Sequence, residues 1–215
     1  MTAATVLTLS NGKGLDLLNP RAEDIDFAVI AEHLAKENRY NGATKNRCYS
    51  VAEHSVRCAM AALNACGDRR LAAYLLLHDG HEAFLKDDTT PKKRALAAMA
   101  QESFGMLAEH VVKTFDLLTY RFDVAIHEAA GLPWPPSEHV QVRIKLFDLT
   151  LFVTEWRDLM GNQEHPNWAP YATIEPLADE IIPVTWQEAR ADFVKACYAL
   201  LPSARTRGLS GIFAA

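Results

Sequence analysis

The chain has 215 residues, 49% of them hydrophobic and 23% charged, which is the balance of an ordinary globular protein and excludes disordered, collagen-like and disulfide-stapled classes. That length suits one well-filled domain, or at most two small ones. With 22 basic and 27 acidic side chains the formal charge is -5, the wrong sign for coating a nucleic-acid polymer, although a few local Arg and Lys residues can still hold a small phosphorylated substrate.

The first element in the chain reads as a β-hairpin: Val6-Leu7-Thr8-Leu9 and Leu15-Asp16-Leu17-Leu18 flank an Asn11-Gly12 turn. Its Gly12-Lys13-Gly14 lacks the first glycine and the Lys-Ser/Thr ending of a phosphate-binding loop. After Pro20 the pattern becomes helical. Glu23-Asp24 open a helix that runs to about Asn38 and stops at the turn signal Arg39-Tyr40-Asn41-Gly42. Ser50 and Glu53 form a capping box for a helix to about Ala65, and the next helix is expected from Asp68 to about Phe84. Pro91 starts a helix to Phe104, and a longer amphipathic one covers about Met106 to Ala129. Gly131-Leu132-Pro133-Trp134-Pro135-Pro136 is an interhelical loop, because neither side of it alone would make a good core. A helix from Pro136 or Ser137 ends near Met160-Gly161; Asn162 to Pro183 is loop-rich, with Trp168 and Tyr171 to pack; a last helix spans about Thr185 to Leu200, and a mobile tail follows from Pro202. The expected architecture is all-α: a small hairpin over residues 1–19, a helical core over 20–160, and a C-terminal loop and helix over 161–215 packed on it.

No stretch approaches the roughly 18 uninterrupted apolar residues of a membrane span, and no basic segment precedes the apolar residues of the N-terminus. Cys48, Cys58, Cys66 and Cys197 lack Cys-x-x-Cys spacing and read as reduced thiols of a cytoplasmic protein, none of them marked as a nucleophile.

Three helices carry polar residues where their period predicts core. The stripes read Val51, His54, Cys58, Ala61 and Ala65; then Leu71, Tyr74, Leu75, His78 and Glu82, with Asp79 one residue round; then Ile144, Asp148, Phe152, Glu155 and Leu159. A buried carboxylate is costly unless it is paired or binds a metal. Local pairing is open to some of them: Asp148 with Arg143 or Arg157, and Glu82 with Lys86. A lone inward histidine is more often a hydrogen-bonded core residue than a ligand. The adjacent His78-Asp79 pair at the end of the apolar run Leu75-Leu76-Leu77 is harder to explain that way, and histidines with carboxylates from three helices suit a divalent cation. Neither Glu53-His54 nor His81-Glu82 completes a His-Glu-x-x-His zinc motif, and no Gly-x-Ser-x-Gly elbow occurs. His110, His127, His139 and His165 lack ligand spacing and read as surface or structural residues.

A histidine, then an adjacent His-Asp, then a distant aspartate make up a recognisable order: His54, His78-Asp79 and Asp148. In it the sequence resembles the HD-domain metal-dependent phosphohydrolases, most closely the bacterial 5'-deoxyribonucleotidase branch and its phage-associated relatives, over roughly residues 20–160. Supporting flanks are Arg39-Tyr40-Asn41-Gly42 before the first histidine, Glu82 and Asp87 after the His-Asp pair, and Thr154-Glu155-Trp156-Arg157-Asp158-Leu159-Met160 after the last aspartate. The resemblance implies that His54, His78, Asp79 and Asp148 bind one divalent ion (Mn, Co, Fe, Mg or Zn). It also implies that Glu82 manages the proton of the attacking water or of the leaving group. Arg39 would contact the phosphate or sugar, and Asp87 would read the sugar. Tyr40, also in this substrate-binding set, stands where the nucleotidases carry tryptophan, so sugar discrimination is expected to differ. His81 is either a further acid or a helix-surface residue. Lys92-Lys93-Arg94 could draw an anionic substrate to a helix start, though such a run is more often a solvated face.

The implied activity is removal of the 5'-phosphate of a (deoxy)nucleoside monophosphate. Alternatives are release of triphosphate from a nucleoside triphosphate, a metal- or nucleotide-binding module without catalysis, or a bundle whose His-Asp is purely structural. The expected partner is a small nucleotide, with no nucleic-acid polymer and no membrane; a homodimer is possible.

Overall fold

The computed structural model describes residues 5–45, 47–161 and 170–202. It is mostly helical, at 66%, with a small two-stranded antiparallel sheet at the N-terminus. Strands β1 (Val6–Thr8) and β2 (Gly14–Asp16) pair with Leu7 opposite Leu15. Gly12 turns the chain at φ +79, and Gly14 has no room for a side chain because a Cβ would lie 2.8 Å from Val6 Cγ1.

The first helix departs from the sequence reading. Glu23 and Asp24 lie in a separate 3-10 turn (Ala22–Asp24), and α1 (Phe27–Lys36) begins only after Asp26, whose side chain accepts from the Ala28 N–H at 2.9 Å. An Asp side chain competes for the backbone at a helix start, so the cap fixes the boundary. From Asn38 to Ser50 the chain makes a loop pinned at its neck by backbone bonds: Arg39 N–H to the Tyr49 carbonyl at 2.9 Å, and Val51 N–H to the Glu37 carbonyl at 3.0 Å. Just past that neck, Tyr40 and Asn41 occupy the left-handed region at φ 58 and 52, which is unusual for non-glycine residues.

Helix α2 (Val51–Cys66) starts at the expected Ser50–Glu53 capping box, and Gly67 ends it at φ +66. There follow α3 (Arg69–Leu77), capped by Asp68; the single turn α4 (Glu82–Leu85); α5 (Thr90–Phe104); α6 (Ala108–Ala130); α7 (Glu138–Glu155), continued by a wider turn over Trp156–Met160; and α8 (Trp186–Leu200), capped by Thr185 and Glu188. α2 is central, packed against α3, α7 and α8. A single cluster of buried apolar side chains runs from Leu9 to Leu201, with Phe27, Tyr74, Phe122 and Phe193 fully enclosed. Phe152 packs edge-on against Tyr171, 5.1 Å between rings. α5 contributes only Ala97 to the interior and lies on α6, leaving Met99 and Phe104 in the open. Trp168, His165 and the tail beyond Pro202 lie outside the described residues. Among the described residues no helix is long and apolar enough to cross a membrane.

Candidate functional site

The one helix expected from Asp68 to Phe84 is broken where the chemistry lies. α3 ends at Leu77, and His78-Asp79-Gly80-His81 forms a turn closed by Gly80 N–H to the Leu77 carbonyl at 2.8 Å and Glu82 N–H to the Asp79 carbonyl at 3.1 Å. Gly80 permits it: a Cβ there would lie 3.0 Å from the Leu77 carbonyl oxygen and 3.5 Å from Ile126. A continuous helix would point His78 and Asp79 about 100° apart. The turn instead brings His78 Nε2 within 3.2 Å of Asp79 Oδ2.

α2 and α7 complete the cluster. His54, with no exposed surface, places Nε2 3.2 Å from His78 Nε2, 3.7 Å from Asp79 Oδ2 and 3.4 Å from Asp148 Oδ1; Asp148 Oδ1 is 4.0 Å from His78 Nε2. Two donors each about 2.1 Å from a common ion stand about 3.0 Å apart at a right angle and about 3.4 Å apart at the tetrahedral angle. The 3.2 and 3.4 Å separations fall in that range, and the 3.7 and 4.0 Å ones are wider. Cys58, one helical turn beyond His54, brings Sγ to 3.5 Å from His54 Nε2, and His54, Cys58 and His78 offer donor atoms all within 4.8 Å of one another. This His–Cys–His group can hold a metal ion. Cys58 stands on the predicted stripe, but its chemistry was not legible there, because nothing in its sequence neighbours marks it.

Both histidines are oriented for ligation through Nε2. His78 Nδ1 lies 2.7 Å from the Leu75 carbonyl, and His54 Nδ1 lies 2.5 Å from Glu155 Oε1. A hydrogen placed on each Nδ1 leaves the Nε2 lone pair for a cation. Glu155, at zero exposure, accepts in turn from Arg39 Nε at 3.1 Å and from the Tyr40 hydroxyl at 2.6 Å, while Arg39 also reaches Asp79 Oδ2 at 3.4 Å. Arg39 and Tyr40 therefore brace His54 through Glu155, and Arg39 also reaches Asp79, whereas the sequence pointed to substrate contacts for both. Their left-handed loop and its pinned neck aim them at α7.

The electrostatics follow from this crowding. Burial opposes ionisation of Glu155, but Arg39, His54 and the Tyr40 hydroxyl hold it down at about 2. Burial likewise works against Asp148 and Asp79; the bond from His54 and the charge of His78 keep Asp148 far below the usual carboxylate range, and His78, His54 and Arg39 lower Asp79. Glu82 moves the other way. Burial, then the neighbouring Asp79 and Asp87 charges, push it well above the ordinary value. Its Oε2 is buried without a hydrogen-bond partner among the described residues. Asp87 is raised too, by burial and by Asp79 and Glu37, against the pull of Arg39. Burial raises the Cys58 thiol, with His54 opposing.

The local pairings weighed in the sequence do not form. Lys86 bonds Glu37 at 2.7 Å rather than Glu82; Arg143 takes Asp68 at 2.7 Å and Arg157 takes Asp158 at 2.6 Å, while Asp148 is met by Lys145 at 2.8 Å. His81 is no surface residue: its Nδ1 meets Asp123 Oδ1 at 2.9 Å beside the cluster. Lys92 is exposed and paired with Asp88, as on a solvated face. His127 is structural, fully buried and stacked on Trp134 with 4.0 Å between ring centroids.

Fold and site define a mostly helical protein with a histidine-centred cluster able to hold a metal. The chain is 32% identical over 209 residues to an uncharacterized protein of Rhodobacter capsulatus, covering 94% of this chain and 95% of that one. It belongs to the same family as that protein. No family profile matches the chain.

Proposed function

We propose that the protein is a metal-dependent phosphohydrolase of the HD type acting on a nucleotide, most readily removing the 5'-phosphate of a (deoxy)nucleoside monophosphate. The observation that carries this reading is the set of contacts, 3.2–4.0 Å, that joins His54 and His78 to Asp79 and Asp148, with the buried, unpartnered Glu82 oxygen in the field of Asp79. The donor set fits a divalent cation: two imidazole nitrogens and two carboxylates, with Arg39 offsetting part of the excess negative charge. A divalent ion held there supplies Lewis acidity to the phosphoryl oxygens and makes water easier to deprotonate.

The chain's own residues do the rest. Glu82, which burial and the neighbouring Asp79 and Asp87 charges raise well above the ordinary carboxylate range, is suited to exchanging a proton with water on one side of the reaction or with the leaving oxygen on the other. Arg39 offers its guanidinium to a phosphate oxygen from beside Asp79. Asp87, whose backbone N–H donates to Glu37 at 3.4 Å, would accept from a sugar hydroxyl. Tyr40 donates its hydroxyl to Glu155, so only its ring would face a bound sugar.

The test is phosphate release from a panel of nucleoside mono- and triphosphates by purified protein with Mn²⁺, Co²⁺ or Zn²⁺. Orthophosphate from a monophosphate is expected, with turnover lowered at least about a hundredfold in Glu82→Gln and abolished in His78→Ala. Tripolyphosphate as product would move the activity to the triphosphohydrolase class. Full turnover in both His78→Ala and Asp79→Ala would overturn the reading.

A further inference from the structure

We infer that Cys58 is a ligand of the metal, and that the site selects a thiophilic divalent ion (zinc, cobalt or iron) over magnesium or manganese. This rests on the metal centre proposed above and adds to it a fifth donor and a class of ion.

Cys58 follows His54 by one turn of α2, so the two side chains project from the same face of the helix. Its Sγ lies 3.5 Å from His54 Nε2. A sulfur about 2.3 Å and a nitrogen about 2.1 Å from one ion lie about 3.1 Å apart at a right angle and about 3.6 Å apart at the tetrahedral angle. The observed separation falls inside that range. His78 Nε2 completes a triangle of donors no wider than 4.8 Å.

A buried cysteine is often a small apolar filler, and the same helix shows what such a thiol does elsewhere. Cys66 donates back to the Ala62 carbonyl at 3.0 Å, the usual local partner for a helical thiol, and accepts from Arg143 Nη2 at 3.0 Å. Cys58 is instead directed at the nitrogen that must carry the metal. One lone pair on His54 Nε2 cannot both accept from a thiol and bind an ion. Once the ion is in place, the sulfur either loses its partner at zero exposure or joins the ion as thiolate, its proton passing to solvent. Thiolate is a soft donor that zinc, cobalt and iron accept, whereas magnesium keeps to oxygen.

The experiment is a titration of Co²⁺ into the metal-free full-length protein, followed by absorption. The expected result is a near-ultraviolet thiolate-to-cobalt charge-transfer band that saturates at one equivalent and is absent in both Cys58→Ser and Cys58→Ala. In competition, Cys58→Ser should lose Zn²⁺ affinity by roughly tenfold or more while Mn²⁺ affinity changes little. If a Cys58 variant folds poorly, loss of the band when the exposed Cys48 and Cys66 are both replaced by Ser would overturn the inference, and its persistence would support it. Cobalt uptake with visible ligand-field bands but no charge-transfer band would overturn the inference and leave the metal centre standing. A band that survives in both variants would also overturn it. No cobalt uptake would remove the metal centre together with the inference. A Cys58-dependent band without hydrolysis of any nucleotide would support the inference and sink only the phosphohydrolase reading.

Discussion

Glu155 has no exposed surface, and three donors make its charge tolerable there: His54 Nδ1, Arg39 Nε and the Tyr40 hydroxyl. Removing the charge while keeping the shape leaves Arg39 buried with less to answer it. Glu155→Gln should therefore cost about 3 kcal/mol of stability by urea unfolding. It should also weaken metal binding by roughly 10–100-fold, because His54 loses the partner that sets its tautomer. Calorimetric titration with Zn²⁺ reads the second effect; unchanged affinity would show that Glu155 only fills space. His127 makes a different prediction. Burial pulls its imidazole from 6.5 down to about 4, and its Nε2 has no partner among the described residues. Between those values the unfolded chain binds the proton and the native protein does not. This stability is complete above about pH 6.5, is lost as the pH falls, and the loss levels off below about pH 4 at a total of about 3 kcal/mol. Urea midpoints at pH 7.5 and pH 5 should show the fall, and His127→Gln should flatten it.

At the level of elements, the turn between α3 and α4 matters most. Gly80 has the Leu77 carbonyl and Ile126 where a side chain would go, so Gly80→Ala should displace the turn that carries His78 and Asp79. Loss of about 1–3 kcal/mol is expected, together with weaker metal uptake; normal uptake at normal stability would mean that the backbone simply yields. This turn also marks the limit of what periodicity can say. The apolar stripe through Leu71, Tyr74, Leu75 and His78 continues to Glu82, and nothing local reveals that the helix breaks beneath it. The start of α2 was legible because its cap is local: Ser50 and Glu53 satisfy each other three residues apart. The true start of α1 is equally local, at the Asp26 cap, whereas the sequence pointed to the acids Glu23-Asp24 as its first turn. His54, His78, Asp79 and Asp148 could be picked out as polar residues on apolar faces. Lys86 with Glu37 and Arg143 with Asp68 could not, since their partners arrive from 49 and 75 residues away.

Across the whole molecule, the residues that meet at the cluster are distributed over most of the chain: Arg39 before α2, His54 within it, His78 and Asp79 after α3, Asp148 and Glu155 late in α7. An ion held by donors so far apart in sequence is a removable cross-link, tying α2, the α3–α4 turn and α7 across two long loops. The unfolded chain cannot assemble those donors, so the bound and folded states are thermodynamically linked. Free Zn²⁺ or Co²⁺ at a hundred times its dissociation constant should add about 2.7 kcal/mol. For a chain of this size that is a rise of roughly 5–10 °C in Tm. Thermal denaturation with and without a chelator measures it, and a Tm indifferent to both metal and chelator would contradict the link. In a cell the abundance of the folded protein would then follow the supply of its metal: starvation for the ion would lower the amount of protein as well as the occupancy of its site.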